Sequence, residues 1–144
     1  MKNRIKQILI NLKSDEEHIL NDGATYEDIE NAQKLISTQI PQFYVDFLSQ
    51  VNGATFRNES IILYQVSTGS KKPNEYVDLV FRNNQSVIMS YPQNVVTIGC
   101  FNFGDTIFVR PVDNQSIYVW DHETGTYSIE WNSIEDFLND WLEG

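Results

Sequence analysis

Three consecutive polar residues, Asp121, His122 and Glu123, form a dense set of chemically capable side chains in this 144-residue sequence. Their oxygen and imidazole atoms suit divalent cations, and a carboxylate beside a histidine can also exchange a proton. Alternate residues of an extended chain point to opposite sides, so we expect at most Asp121 and Glu123 to face together. A polar strand end that turns at Gly125 accounts for the same residues without chemistry, and a partner-binding patch is the third interpretation. The pattern favours the turn.

Other catalytic and ligand motifs are missing from the sequence. No Gly-x-Ser-x-Gly turn exposes a nucleophile. Gly99 and Gly104 have the spacing of a phosphate-binding loop, but Asp105 stands where that loop needs a lysine. His18 and His122 are far apart and lack the helical arrangement that places two imidazoles on zinc. We therefore predict no catalytic residue, no bound metal and no cofactor.

The net charge of the chain favours some classes of binding partner over others. Twenty Asp and Glu against ten Lys and Arg give a net charge of -10. Several of the basic residues lie within residues 1–13, so residues 14–144 carry a larger net negative charge than the chain as a whole. Such a field repels nucleic acid and attracts basic protein surfaces, although acidity also simply keeps a protein soluble. We expect Asp105, Asp113, Asp121 and Glu123 to contribute to a partner-binding surface.

Length and composition predict one domain over residues 1–144. The 41% of hydrophobic residues and 12% of aromatic residues are enough for a packed core. No apolar run approaches the ~20 residues of a membrane span, and residues 1–12 do not read as a secretory signal. The single cysteine, Cys100, is expected to be a small buried hydrophobe. We therefore predict a cytoplasmic protein that neither binds nor spans a membrane.

Helical patterns fill the N-terminal third and the C-terminus. Apolar residues recur at helical spacing within residues 5–12, and Gly53 is expected to take the left-handed conformation that closes a helix. The segment from Glu75 to Asn83 is ambiguous between helix and strand and is assigned to a helix. Further helix starts are predicted from capping patterns and from a proline: Ser14–Glu17, Thr25–Asp28, Pro41 and Ser133–Asp136.

The residues between these helices predict strands. They are rich in Val, Ile, Tyr and Phe and are separated by Gly, Asp, Asn and Pro. The three tryptophans are expected to pack in the core. An antiparallel meander flanked by helices at both ends is an α+β fold. The strands are predicted at Ile61–Val66, Val95–Ile98, Thr106–Arg110, Ser116–Trp120 and Tyr127–Trp131.

The order of short motifs resembles the SUKH superfamily, which includes the Smi/Knr-like proteins. The likeness covers about residues 24 to 142, and residues 1–23, which form the predicted N-terminal helix, are less characteristic. The motifs in question are Ile40-Pro41-x-x-Tyr44-x-x-Phe47-Leu48, Asn52-Gly53, Pro92 to Gly99, Gly104-Asp105, Ile117-Tyr118-Val119-Trp120-Asp121-His122, and the final helix with Phe137-Leu138.

The resemblance implies an α+β domain without catalysis. In bacteria it implies an immunity protein that binds and neutralises a cognate polymorphic toxin, often a nuclease. A nuclease has a cationic DNA-binding face, which an acidic chain could cover. The alternative that the resemblance leaves open is a regulatory interaction module of the Smi/Knr type, which binds a housekeeping protein. A metal protein or enzyme built on Asp121, His122 and Glu123 remains a third class.

Overall fold

The computed structural model describes residues 2–85, 91–111 and 115–143. Within these ranges the chain forms α-helices that pack on an antiparallel sheet, which confirms the predicted α+β class. The helices are α1 (Lys2–Lys13), α2 (Tyr26–Gln33), α3 (Gln42–Leu48), α4 (Leu79–Asn84) and α5 (Ile134–Glu143), with a short 3-10 helix at Glu75–Val77. The strands are β1 (Ile19–Leu20), β2 (Ala54–Phe56), β3 (Ile61–Leu63), β4 (Val96–Phe101), β5 (Thr106–Val109), β6 (Ile117–Asp121) and β7 (Thr126–Trp131).

The sheet is a simple meander. Its seven strands lie in chain order, and each pairs antiparallel with the next. The five predicted strands are present, while β1 and β2 were missed. Strands of two and three residues are too short to show an alternating pattern in the sequence.

Two apolar layers lie on opposite faces of the sheet. Along β5, Ile107 and Val109 belong to the core under the helices, while Phe108 belongs to a second cluster with Tyr118 and Trp120. This alternation follows from the two-residue period of a strand. Trp120 is buried, whereas Trp131 and Trp141 are partly buried against the helical core, as expected of core tryptophans. Cys100 is half-buried and also packs against that core.

Of the three helix starts predicted from capping patterns, two are confirmed and one is wrong. The Thr25 hydroxyl accepts a hydrogen bond from the Asp28 amide at 3.1 Å, which confirms the start of α2. The Ser133 hydroxyl accepts one from the Asp136 amide at the start of α5. The predicted helix start at Ser14 is wrong. The Ser14 hydroxyl instead donates to the Asn11 carbonyl at 2.7 Å, so it ends α1 rather than beginning a new helix.

Two other local predictions need refinement. The segment assigned to a helix is divided at Asp78, whose carboxylate caps α4 by accepting from the Val80 amide. Gly53 has the expected positive φ of +84°. It does not close a helix, because α3 ends at Leu48 and Gly53 leads into β2. A Cβ there would lie 2.9 Å from the Leu63 carbonyl oxygen, so glycine permits a close approach of two chain segments.

Candidate functional site

Three turns meet at one end of the sheet, because alternate connections of a meander lie on the same side. They comprise residues 57–60, 102–105 and 122–125. The Asn102 amide donates to the Ser60 carbonyl at 2.9 Å, which joins the first two turns. The loop 15–17 adjoins them, since the Asn58 amide donates to the Glu17 carbonyl at 2.8 Å. We call these three turns and this loop the acidic end.

The second and third turns are joined by Asp105 and His122. One carboxylate oxygen of Asp105 accepts from the His122 amide at 3.1 Å and lies 2.6 Å from His122 Nδ1. A carboxylate has no proton to donate at neutral pH, so the imidazole is the donor. This hydrogen bond is the main cause of a raised His122 pKa, and the nearby charges of Glu123 and Asp121 add to it. The pair is thus a charge-assisted clasp between two hairpins.

Gly104 explains why the imidazole fits beside this turn. Its φ is +110°, a conformation that residues with a side chain rarely adopt. A Cβ at Gly104 would lie 3.2 Å from His122 Cε1. The Gly104-Asp105 pair therefore provides both the space for the imidazole and its acceptor.

The third turn begins at Asp121. Its carboxylate accepts from the amides of Glu123 at 2.8 Å and Thr124 at 3.3 Å, so the chain bends directly after β6. The turn that the sequence predicted after this strand is therefore present. The expectation that at most Asp121 and Glu123 face together is wrong, because strand alternation ends where the turn begins. Ligand-type atoms of Asp105, Asp121 and His122 lie within 4.8 Å of one another instead.

That group of three has the atom types of a cation site, yet one oxygen of each carboxylate and Nδ1 of the histidine already have partners. Oδ1 of Asp105 bonds His122, and Oδ1 of Asp121 accepts two turn amides. These bonds account for the arrangement as a structural clasp. Of the predicted site residues, the structure therefore brings Asp105 and Asp121 together, with Glu123 in the same turn. Asp113 lies outside the described residues.

Phe103 is a feature of this end that sequence reasoning missed. It is 60% exposed and stacks on Phe101, with ring centroids 5.1 Å apart. An aromatic residue between Asn102 and Gly104, in a turn, was the available signal. Such an exposed ring is typical of an anchor in a protein interface.

The first turn has an uncommon backbone. Arg57, Asn58 and Glu59 all have positive φ, from 51° to 71°. The buried His18 holds this conformation, since its Nδ1 accepts from the Arg57 amide at 3.0 Å. This hydrogen bond stabilises the first turn of the acidic end.

Two carboxylates of this end lie beside histidines, Asp105 beside His122 and Asp15 beside His18, and no carboxylate of this end pairs with Lys or Arg among the described residues. Among the side chains that the structure describes, Glu135, with Arg4 at 3.8 Å, is the one carboxylate in an ion pair with Lys or Arg. Charges that no internal cation neutralises are available to attract an external one. The acidic end carries Asp15, Glu16, Glu17, Glu59, Asp105 and Glu123, and Asp121 directly precedes its third turn.

Comparison with known proteins assigns the sequence to a protein family. No helix in the described part of the chain has the length and apolar character of a membrane span. No curated protein matches the sequence. Residues 1–143 match the SUKH_5 family model, whose description is SMI1-KNR4 cell-wall. Because that match extends over nearly the whole chain, the protein belongs to the SUKH superfamily.

Proposed function

We propose that this protein is a non-enzymatic immunity protein of the cytoplasm, which binds and neutralises a cognate toxin with a basic surface, such as a nuclease. The observation that carries the proposal is the acidic end, which combines carboxylates without Lys or Arg partners with the exposed ring of Phe103. The net charge of -10 and the family support it.

Charge and apolar contact contribute to binding in different ways. The carboxylates raise the rate of encounter with a cationic surface, and this contribution weakens as salt screens it. The Phe103 ring supplies apolar area that is desolvated in the complex, and it slows dissociation. The clasp between Asp105 and His122 keeps both turns in place, so little conformational freedom is lost on binding.

The first test is a pull-down of the purified protein with the product of the adjacent upstream reading frame, from low to moderate salt. A tight complex that abolishes the toxicity of that product is the expected result. Absence of binding would overturn the immunity proposal.

A charge-matched pair of variants locates the site. Glu123→Lys is expected to slow association by about threefold and to reduce its salt dependence. The control, Glu27→Lys, makes the same charge change on an exposed residue of α2 and should leave association almost unchanged. Equal effects of the two variants would show that only the total charge matters and would remove the acidic end from the proposal.

A regulatory module is the second candidate, and the SMI1-KNR4 description of the family favours it. In that case a housekeeping protein, recovered from whole lysate, would replace the toxin as the bound partner. The same two variants would then report on that complex. A toxin gene directly upstream would argue against this candidate.

A further inference from the structure

Strand β7 is the last strand of the sheet and pairs with β6 alone among the described residues. It has six residues, Thr126–Trp131, of which the first five are exposed. Edge strands have unpaired backbone groups that can bond another strand, and proteins usually protect them with Lys, Pro, bulges or a covering element. The sequence of β7 contains no Lys, Arg or Pro, and its one register irregularity is confined to the end near Trp131.

One side of β7 is apolar. Tyr127 and Ile129 are 45% and 51% exposed, and they lie across from Trp120 and Tyr118 on the face opposite the helices. The Tyr127 hydroxyl accepts a hydrogen bond from the Arg110 guanidinium at 2.6 Å, so this ring has a fixed position. An added strand could bury the free edges of both side chains.

The other side of β7 is acidic. Ser128 lies across from Val119, which packs against the helical core, and its hydroxyl donates to the Glu130 carboxylate at 3.1 Å. Two exposed carboxylates of α5, Asp136 and Asp140, are four residues apart and therefore share a helix face.

The carboxylates of α5 lie close to the strand. Asp140 accepts from the indole N–H of Trp131, which places that helix face beside the end of β7. The guanidinium of Arg57 bonds the backbone carbonyl of Asp140 and lies over Trp141, and it forms no ion pair with the Asp140 carboxylate. Glu130, Asp136 and Asp140 thus form an acidic strip along this side.

We propose that β7 binds an extended segment of a basic protein partner as an additional strand of the sheet. The segment would alternate in character, with Lys or Arg toward the acidic strip and apolar side chains toward Tyr127 and Ile129. Charge complementarity selects this occupant, since a second copy of the chain would bring two net charges of -10 together. The inference rests on the proposed basic partner, and it adds a strand that is continuous with the acidic end, because Thr126 pairs with Asp121.

The test uses synthetic peptides and does not require the toxin. The probe is a blocked hexapeptide with three alternating Lys-Val pairs, and its matched control has the same composition with the three Lys in one block. Amide chemical shifts of the labelled full-length chain report where each peptide binds. We expect the alternating peptide to shift the amides of residues 126–131 and to bind about tenfold more tightly than the block peptide.

Two variants make this test specific. Ile129→Lys introduces a charge that protects the edge and is expected to weaken the alternating peptide about tenfold. Leu35→Lys makes the same change in charge at an exposed apolar residue away from the sheet and should leave the affinity unchanged. Circular dichroism spectra that match the unmodified chain establish that both variants fold.

Three outcomes would overturn the inference. The first is equal affinity for the two peptides, which would indicate attraction by charge alone. The second is a set of shifts that leaves out residues 126–131. The third is a dimer of the chain that Ile129→Lys dissociates, which would assign β7 to a second copy. Failure of the pull-down with peptide binding intact would overturn immunity and leave the β7 inference standing.

Discussion

The two edges of the sheet differ in length and in how firmly they are anchored. β1 has two residues, and the chain directly after it is held by hydrogen bonds from the Asn21 amide to the Gly53 carbonyl and from the Asn21 side chain to the Asn52 carbonyl. β7 has six residues, and five of them are exposed. A short, anchored edge cannot accept a new strand, whereas a long, exposed one can. Backbone groups as well as charge therefore determine where a partner strand could add to the sheet.

The largest effect on stability is expected at Asn52, whose backbone carbonyl holds the chain after β1 and whose side chain joins the segments before β2 and after β3. The buried Asn52 side chain donates to the Val66 carbonyl at 3.0 Å and accepts from the Val66 amide at 2.9 Å. Asn52→Ala leaves both buried backbone groups without this partner, and we expect the free energy of unfolding to fall by about 3 kcal/mol. Urea denaturation measures it.

The control for Asn52 is Asn31→Ala, at an exposed position of α2, which should change the unfolding free energy by less than about 0.5 kcal/mol. Equal losses of stability in the two variants would contradict the view that the buried hydrogen bonds of Asn52 stabilise the fold.

A smaller loss of stability is expected at the Asp105–His122 clasp, which holds the hairpin of β6 and β7. Asp105→Ala removes the acceptor of two hydrogen bonds from His122, and we expect a loss of about 1 kcal/mol in urea denaturation. Glu30→Ala, on the exposed face of α2, is the matched control. No loss in the Asp105 variant would mean that β7 depends on β6 alone for its position.

The β7 edge itself should tolerate substitution. Ile129 is about half exposed, so Ile129→Thr is expected to change the unfolding free energy by less than about 0.5 kcal/mol. The same change at Ile117, which is fully buried on β6, should cost about 2 kcal/mol or more because it places a hydroxyl in the core. A cost at Ile129 close to that at Ile117 would show that β7 is already covered.

The smallest effect concerns pH. The Asp105 hydrogen bond raises the pKa of His122 in the folded chain, so its contribution to stability is fully present below about 6.5, the ordinary histidine pKa. The contribution is lost as pH rises through the raised value. The stability difference between the unmodified chain and His122→Gln is therefore expected to shrink from pH ~5 to pH ~9.

An NMR titration of the His122 imidazole measures its pKa directly. A pKa at or below the ordinary value would contradict the clasp.

Some local features could be predicted because the groups involved are neighbours in the chain. The bond from Thr25 to Asp28 and that from Ser133 to Asp136 each connect residues three positions apart. Ser14 shows the limit of such patterns. Its hydroxyl had a competing acceptor in the preceding helix, the Asn11 carbonyl, and a capping pattern does not reveal which of the two partners is chosen.

The candidate site could be predicted only in part. The acid excess and the turn residues predicted a partner-binding surface that includes Asp105, Asp121 and Glu123. The clasp could not be foreseen, because Asp105 and His122 are 17 residues apart and meet only through the register of β5 and β6. Asp113 lies outside the described residues and stays a prediction.

The sequence alone determined the α+β class, the meander, the acid excess and the likeness to the SUKH superfamily, since periodicity, turn residues and motif order are properties of the linear chain. Tertiary structure decided the rest. It brought His122 against Gly104 and Asp105, left the Phe103 ring exposed, and gave β7 an apolar side and an acidic side. The physical reason is that strand register and sheet order determine which distant residues become neighbours, and neither can be read from any single segment.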